Sequence, residues 1–265
     1  MTTKTTTMRD QLEERGFTDP IPLLAQTDAH AAADRIERAW AATPVLTQNL
    51  RLESTWRDLG VRTAWFKSVH AYVPEVASLA AHPTIVSAVT AELGPDVLCW
   101  GAQFVVRKPD TGQRWHIDVE HDRWPGVSVW LGLRDATPTS GVRYITHTAK
   151  APTSPQHLAK MGMNIHDDAA MLRVAQVHDP RASIASTAVQ DGEFYLFAGR
   201  IWHGSRNKSP LRRVALIFQY CRPDAEVRVP LPPWDPPWPF HPTFQPPCQL
   251  VAGRDTAGKN VVFRV

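Results

Sequence analysis

The sequence predicts a mainly β chain, a double-stranded β-helix of the cupin-like jelly-roll kind, buttressed by α-helices at its N-terminal side. Up to Leu93 the apolar residues recur at helical spacing, whereas from Val97 onward they fall into short runs bounded by turn-forming residues. Helices followed by such strands favour two Greek keys wrapped into a barrel that can enclose a ligand.

The first helix is expected from Asp28 to Thr43, with Asp28 or its neighbours near the cap and Ala29, Ala33, Ile36 and Trp40 on one apolar side. A second is expected from Pro74 to Ala81, because proline is tolerated in a first turn where its missing donor would have had no partner. Pro83 and Thr84 open a third, Ile85 to Leu93, which Gly94-Pro95 stops. Strands are expected around Leu98 to Arg107, Arg114 to Val119, Val127 to Leu133, Val142 to Thr146, Glu193 to Phe197 and Val214 to Tyr220. Asp110-Thr111-Gly112 and Pro138 to Gly141 read as reversals between them. Ala149 to Ala170 is a longer excursion that suits either a lid or substrate wall or a plain surface loop. Near the end, a proline-rich stretch at about 223–248 disfavours helix and sheet interiors. Its Trp234, Trp238 and Phe240 would fasten an extended strap across the domain, or alternatively serve a partner contact.

A length of 265 residues, 43% of them hydrophobic, with ten tryptophans and nine phenylalanines, suits one domain spanning 1–265 with a substantial core. No apolar run is long enough to cross a bilayer and the first residues lack a signal-peptide pattern, so the expected location is the cytoplasm. Cys99, Cys221 and Cys248 are too few and too scattered for a disulfide scaffold and are expected to be free thiols. A net charge of +3 from 29 basic and 26 acidic residues, with no basic stripe, argues against a nucleic-acid partner. A monomer and a homodimer fit equally.

The chemistry is concentrated in three residues. His116 and Asp118 are separated by one residue, so on a strand both side chains leave the same face and can grip one ion; His203 supplies a third ligand from another strand. Two imidazoles and one carboxylate occupy one face of an octahedron and leave the opposite face open, as non-haem Fe(II) oxygenases require. A structural zinc site would instead be closed by four protein ligands. Trp115 and Trp202, one before each histidine, should point away from the ion and pack the scaffold. His166, Asp167 and Asp168 fit a helix cap better than a second metal site.

Lys108-Pro109, Trp115-His116-Ile117-Asp118, Ser140-Gly141-Val142-Arg143, and the block from His203 through Asn207, Ser209 and Arg213 to Gln219-Tyr220 together resemble the phytanoyl-CoA dioxygenase family of Fe(II)- and 2-oxoglutarate-dependent oxygenases. The resemblance covers about residues 60–221. It implies that His116, Asp118 and His203 hold iron and that Arg213 pairs with the far carboxylate of 2-oxoglutarate. Arg212 competes for the last role, since both faces of the strand that begins there are largely apolar and periodicity does not decide. An arginine suits either way, because its planar fork pairs bidentately with a carboxylate.

The implied reaction consumes O2, converts 2-oxoglutarate to succinate and carbon dioxide, and oxidises an enclosed C–H bond. The carboxylate of Asp118 separates this chain from related halogenases, where a small residue stands there, and argues for hydroxylation; desaturation, cyclisation, epoxidation and epimerisation remain open. Glu120 and His147 are candidates for substrate contact, and Glu120 with the basic residues near His203 suggests a small polar metabolite, an amino acid or a natural-product intermediate. A metal-dependent hydrolase or lyase, a catalytically silent jelly-roll binding protein and an interaction protein using the proline-rich tail are the rival readings.

Overall fold

The computed structural model describes residues 6–42, 68–71, 73–118, 126–230 and 243–265. The chain divides into two compact units, each assembled from two stretches: 1–33 with 105–216, and 34–104 with 217–265. Glu120 and the central part of the proline-rich strap, with Trp234, Trp238 and Phe240, lie outside the described residues.

The first unit opens with α1 (Met8–Arg15), a helix that periodicity does not announce because Leu12 is its one buried residue. It is closed instead by its ends: the Thr7 hydroxyl accepts from the Asp10 N–H, the Asp10 carboxylate accepts from the Thr7 N–H, and Gly16 at φ 87° leaves the helix. After β1 (Ile21–Pro22) comes α2 (Gln26–Ala42), close to the expected limits. Later stretches of this unit supply β3 (Gly112–His116), β4 (Gly126–Arg134), β5 (Val142–Ile145), α5 (Pro155–Lys160), α6 (Asp168–His178), β6 (Ile184–Ser186), β7 (Glu193–Ala198) and β8 (Trp202–Arg206). One sheet orders β1, β7, β4 and then β9 (Arg213–Cys221); the other orders β3, β8, β5, β6, and its β3–β8, β8–β5 and β5–β6 pairings are antiparallel. β4 is buried along nearly its whole length, which is why it reads as a continuous apolar run rather than an alternating one.

The second unit contains α3 (Pro74–Ala80), α4 (Pro83–Leu93) and β2 (Val97–Arg107), and its sheet runs β9, β2, β12 (Cys248–Ala252), β13 (Val262–Phe263). α3 is tied to the sheet by two buried hydrogen bonds, from the Tyr220 hydroxyl to the Ala80 carbonyl (2.9 Å) and from Gln249 Nε2 to the Ala77 carbonyl (3.0 Å). Cys99, Cys221 and Cys248 are buried free thiols. Among the described residues no single helix is long and apolar enough to cross a membrane; α3 and α4 pass that test only as a bent pair, and Val76, Leu79, Ile85, Val89 and Leu93 on them are buried. β10 (Val229–Pro230) pairs with β11 (Thr243–Phe244), so both described flanks of the strap are strands, where the proline content predicted neither.

The observed core is therefore two mostly antiparallel sheets with helices from the N-terminal third and from the stretch between β5 and β6. Two departures from expectation shape the site. The strand expected from Arg114 to Val119 stops at His116, so Asp118 follows the strand rather than lying on it. The excursion expected from Ala149 to Ala170 holds α5 and the start of α6; its Leu158 and Ile165, with Met171 and Ala175 further along α6, form one buried cluster with Trp115, Ile117 and Trp202. It thus packs behind the strands that carry the histidines.

Candidate metal centre

The site is built on the pairing of β3 with β8. At its open end Gly112 faces Arg206, and a Cβ there would sit 2.1 Å from the Ser205 carbonyl oxygen, so only glycine permits this approach of the two backbones. Between Gln113 and His116 the register slips, and that irregularity brings His116 directly opposite His203. The two rings lie with centroids 4.1 Å apart and planes inclined at 50°. Asp118, just beyond the strand, turns Oδ1 to within 4.0 Å of His116 Nε2 and 3.5 Å of His203 Nε2.

One ligand atom from each of the three residues lies within 4.8 Å of the others, close enough to share one metal ion. The hydrogen bonds agree with such an ion. His116 Nδ1 lies 2.9 Å from the Arg114 carbonyl and His203 Nδ1 lies 2.9 Å from the Ile201 carbonyl. A carbonyl only accepts, so each Nδ1 carries the proton and each Nε2 keeps its lone pair, which at His116 accepts from Gln113 Nε2 at 3.0 Å. In the carboxylate, Oδ2 accepts from the Ser128 hydroxyl at 2.8 Å, which leaves Oδ1 facing the imidazoles. Replacing Ser128 with alanine frees the Asp118 carboxylate to rotate and should weaken Fe(II) binding roughly tenfold, as for other partners that orient a metal ligand. Anaerobic competition with a chromogenic chelator measures this; an unchanged affinity would show that the Ser128 bond is dispensable.

Arg213 is 1% exposed, while Arg212 is exposed to solvent. Arg213 Nη1 donates to the Ser140 carbonyl, the guanidinium carbon stands 5.4 Å from the Trp130 ring centroid, and its buried Nε has no partner. Burial, reinforced by the charge of Arg107, pulls the Arg213 guanidinium down to about 10, so it remains charged at neutral pH. Among the described residues no carboxylate pairs with it. A buried cation without a counter-ion is costly, and an anionic ligand is what such a position accommodates. Arg107, whose Nη2 donates to Gln113 Oε1 at 3.0 Å, also has a buried Nε without a partner.

The structure brings His116, Asp118 and His203 together. It places His147 elsewhere, in a left-handed turn (φ 60°) after β5, with Nδ1 3.9 Å from a carboxylate oxygen of Asp179. Asp167 caps α6, and Asp168 pairs with Arg143 while accepting from Trp115 Nε1 at 3.0 Å. Trp115 and Trp202 are each 1% exposed and belong to the cluster behind the histidine strands, as alternation predicted. Asn207, one of the motif residues, organises the turn into β9: its Nδ2 donates to the Arg107 and Leu211 carbonyls and its Oδ1 accepts from the Ser209 N–H. Sequence reasoning missed Ser128 and Arg107, because a serine in an apolar strand and an arginine at a strand end carry no distinguishing local pattern.

The profile of the family described as Phytanoyl-CoA dioxygenase (PhyH) matches residues 12–215. Nothing among curated proteins matches the chain. Solved structures of similar fold include a non-heme monooxygenase, the ThoJ-Ni complex, at 18% identity and TM-score 0.65, covering 97% of this chain and 88% of that one. CytC3 with Fe(II) and alpha-ketoglutarate aligns at 15% identity and TM-score 0.66, covering 97% and 91% respectively. The alpha-ketoglutarate-dependent epimerase SnoN from nogalamycin biosynthesis aligns at 12% identity and TM-score 0.59, over 81% of this chain and 82% of that one.

Proposed function

We propose, from the premise that the chain belongs to the phytanoyl-CoA dioxygenase family of Fe(II)- and 2-oxoglutarate-dependent oxygenases, that it hydroxylates an unactivated C–H bond of a small polar metabolite, such as an amino acid or natural-product intermediate. The observation that carries this is the convergence of His116 Nε2, His203 Nε2 and an Asp118 carboxylate oxygen within 4.8 Å, a donor set of two imidazoles and one carboxylate. We assign the two sheets to a double-stranded β-helix and the whole chain to one catalytic domain, since neither compact unit is continuous in sequence.

When bound, Fe(II) and 2-oxoglutarate supply the oxidising chemistry, in which O2 converts the cosubstrate to succinate and carbon dioxide and a substrate C–H bond is oxidised. The chain does the rest. His116, Asp118 and His203 would hold the ion, and the backbone carbonyls behind the two Nδ1 atoms keep both rings in the ligating tautomer. Arg213 takes the far carboxylate of 2-oxoglutarate, which supplies the counter-charge its burial demands. Its contact with the Ser140 carbonyl leaves the fork a fixed orientation. Which substrate carbon reacts then depends on positioning.

The fold it shares with the epimerase SnoN favours epimerisation as the second reading. Both are decided by one experiment: anaerobic loading with Fe(II), addition of O2 and 2-oxoglutarate with pooled small metabolites, and quantification of succinate together with product masses. A product heavier by one oxygen atom supports hydroxylation, and a product of unchanged mass with inverted configuration supports epimerisation. Retention of 2-oxoglutarate with hydrolysis or elimination of a pool member would overturn both.

A further inference from the structure

We infer that Gln156 is a positioning residue for the metal centre, acting through the backbone of Ile117, the one residue between the two ligands His116 and Asp118. The inference rests on the metal reading above. β3 ends at His116, so Ile117 has lost the ladder that would hold it extended. The Gln156 side chain replaces that ladder: its Oε1 accepts from the Ile117 N–H at 3.1 Å and its Nε2 donates to the Ile117 carbonyl at 2.8 Å. One primary amide thus imitates the paired donor and acceptor of a neighbouring strand. Side chains separated by one residue leave the same face only while the residue between them stays extended. Holding Ile117 therefore keeps the Asp118 carboxylate on the side of His116 and His203.

The Gln156 side chain is itself held. It stands in the first turn of α5, whose N-terminus is capped by the Ser154 hydroxyl accepting from the His157 N–H, with Pro155 in the first turn. Leu158 of the same helix is buried against Trp115, Ile117 and Trp202. Around it, the rest of the excursion grips the other residues next to the ligands. The Trp115 N–H donates to the Ile165 carbonyl at 3.2 Å, Trp115 Nε1 donates to Asp168, and Trp202 Nε1 donates to the Thr153 carbonyl at 3.2 Å. The excursion between β5 and β6 thus carries the fixed support of the ligands. A glutamate at 156 would keep the acceptor but set a negative charge against the Ile117 carbonyl, and an asparagine would be one methylene short.

The test compares the full-length wild-type chain with Gln156→Met, Gln156→Glu and, as a ligand control, His203→Ala. Methionine keeps an unbranched side chain of similar volume against the buried cluster while removing both hydrogen bonds. Fe(II) affinity is read by anaerobic chelator competition, coordination geometry by the visible ligand-field spectrum of Co(II) in the site, and folding by circular-dichroism melting. Both Gln156 variants are expected to melt cooperatively, to bind Fe(II) roughly 10- to 100-fold more weakly and to give an altered Co(II) spectrum. A purely structural role would lower the melting temperature and leave the spectrum of the folded protein unchanged. Folded variants with wild-type Fe(II) affinity and Co(II) spectrum overturn the inference; if Gln156→Met does not fold, Gln156→Glu decides. A wild-type chain that binds no Fe(II) overturns the metal reading itself, an outcome separate from a wild type that binds and variants that bind equally well.

Discussion

His203→Ala is expected to lower Fe(II) affinity by more than about 100-fold, beyond the range seen when only an orienting partner of a ligand is lost. Two imidazoles and one carboxylate converge here, so removing one leaves two protein ligands and an ion that water can strip. Succinate formation should fall to background with it. Because His203 is buried and packs against the rings of His116 and Phe197, alanine also leaves a void, and a weakened fold would confuse the result. Asp118→Asn is the cleaner companion. Its carboxamide is nearly isosteric and its oxygen can still accept from Ser128, yet it withdraws the negative charge from the centre. Both variants should melt as folded proteins while failing to hold Fe(II) in anaerobic chelator competition. Wild-type iron binding by both would place the ion somewhere other than these residues and remove the basis of the assignment.

Arg213→Met should move two measurements in opposite directions. Binding of 2-oxoglutarate, followed by titration calorimetry on the metal-loaded protein, is expected to weaken by a factor on the order of 30 or more. That corresponds to about 2 kcal/mol or more, the usual cost of truncating one partner of a buried, hydrogen-bonded charge pair. The melting temperature of the ligand-free chain, by contrast, should rise. In that state the guanidinium is buried beside Trp130, next to the charge of Arg107, with no carboxylate partner among the described residues, and an apolar side chain of similar length removes the desolvation cost. The pH dependence follows from the sign of the shift. Burial depresses the folded-state pKa of this basic group to about 10, below its unfolded value, so the folded state disfavours the charged form. The destabilisation is therefore fully present at neutral pH and is relieved only as pH rises through about 10. The gain in melting temperature from Arg213→Met should accordingly persist from slightly acid to slightly alkaline buffers. A variant that loses stability across that range while binding 2-oxoglutarate normally would make Arg213 an ordinary core residue.

Much of the architecture is legible in the chain because it depends on neighbours. α3 and α4 announce themselves by a proline in the first turn, and α4 by the glycine that ends it; β4 and β9 show as short apolar runs. α1 escapes notice because its stability comes from a capping box and a glycine exit rather than from an apolar face. β8 is expected only because the third ligand needs a strand: Trp-His-Gly-Ser-Arg has no strand pattern of its own, and β3 and β5 flank it. The end of β3 at His116 is another tertiary decision, since nothing in Ile117-Asp118 forbids a longer strand and it is Gln156 that takes over the pairing.

By itself the sequence determined the chemical identity of the site: the ligand types, the single-residue spacing of His116 and Asp118, the outward packing of Trp115 and Trp202, and two adjacent arginines at the start of β9. Spacing along one strand and the kinds of atom on offer are local properties, and they survive without knowledge of the fold. Only the tertiary structure decided that the register slip in β3 sets His116 opposite His203, that Arg213 rather than Arg212 is buried, and that Ser128 and Gln156 hold the aspartate and the backbone before it. Each of these depends on which distant backbone lies alongside. That partner is chosen by the packing of the whole sheet, and no short stretch of sequence carries it.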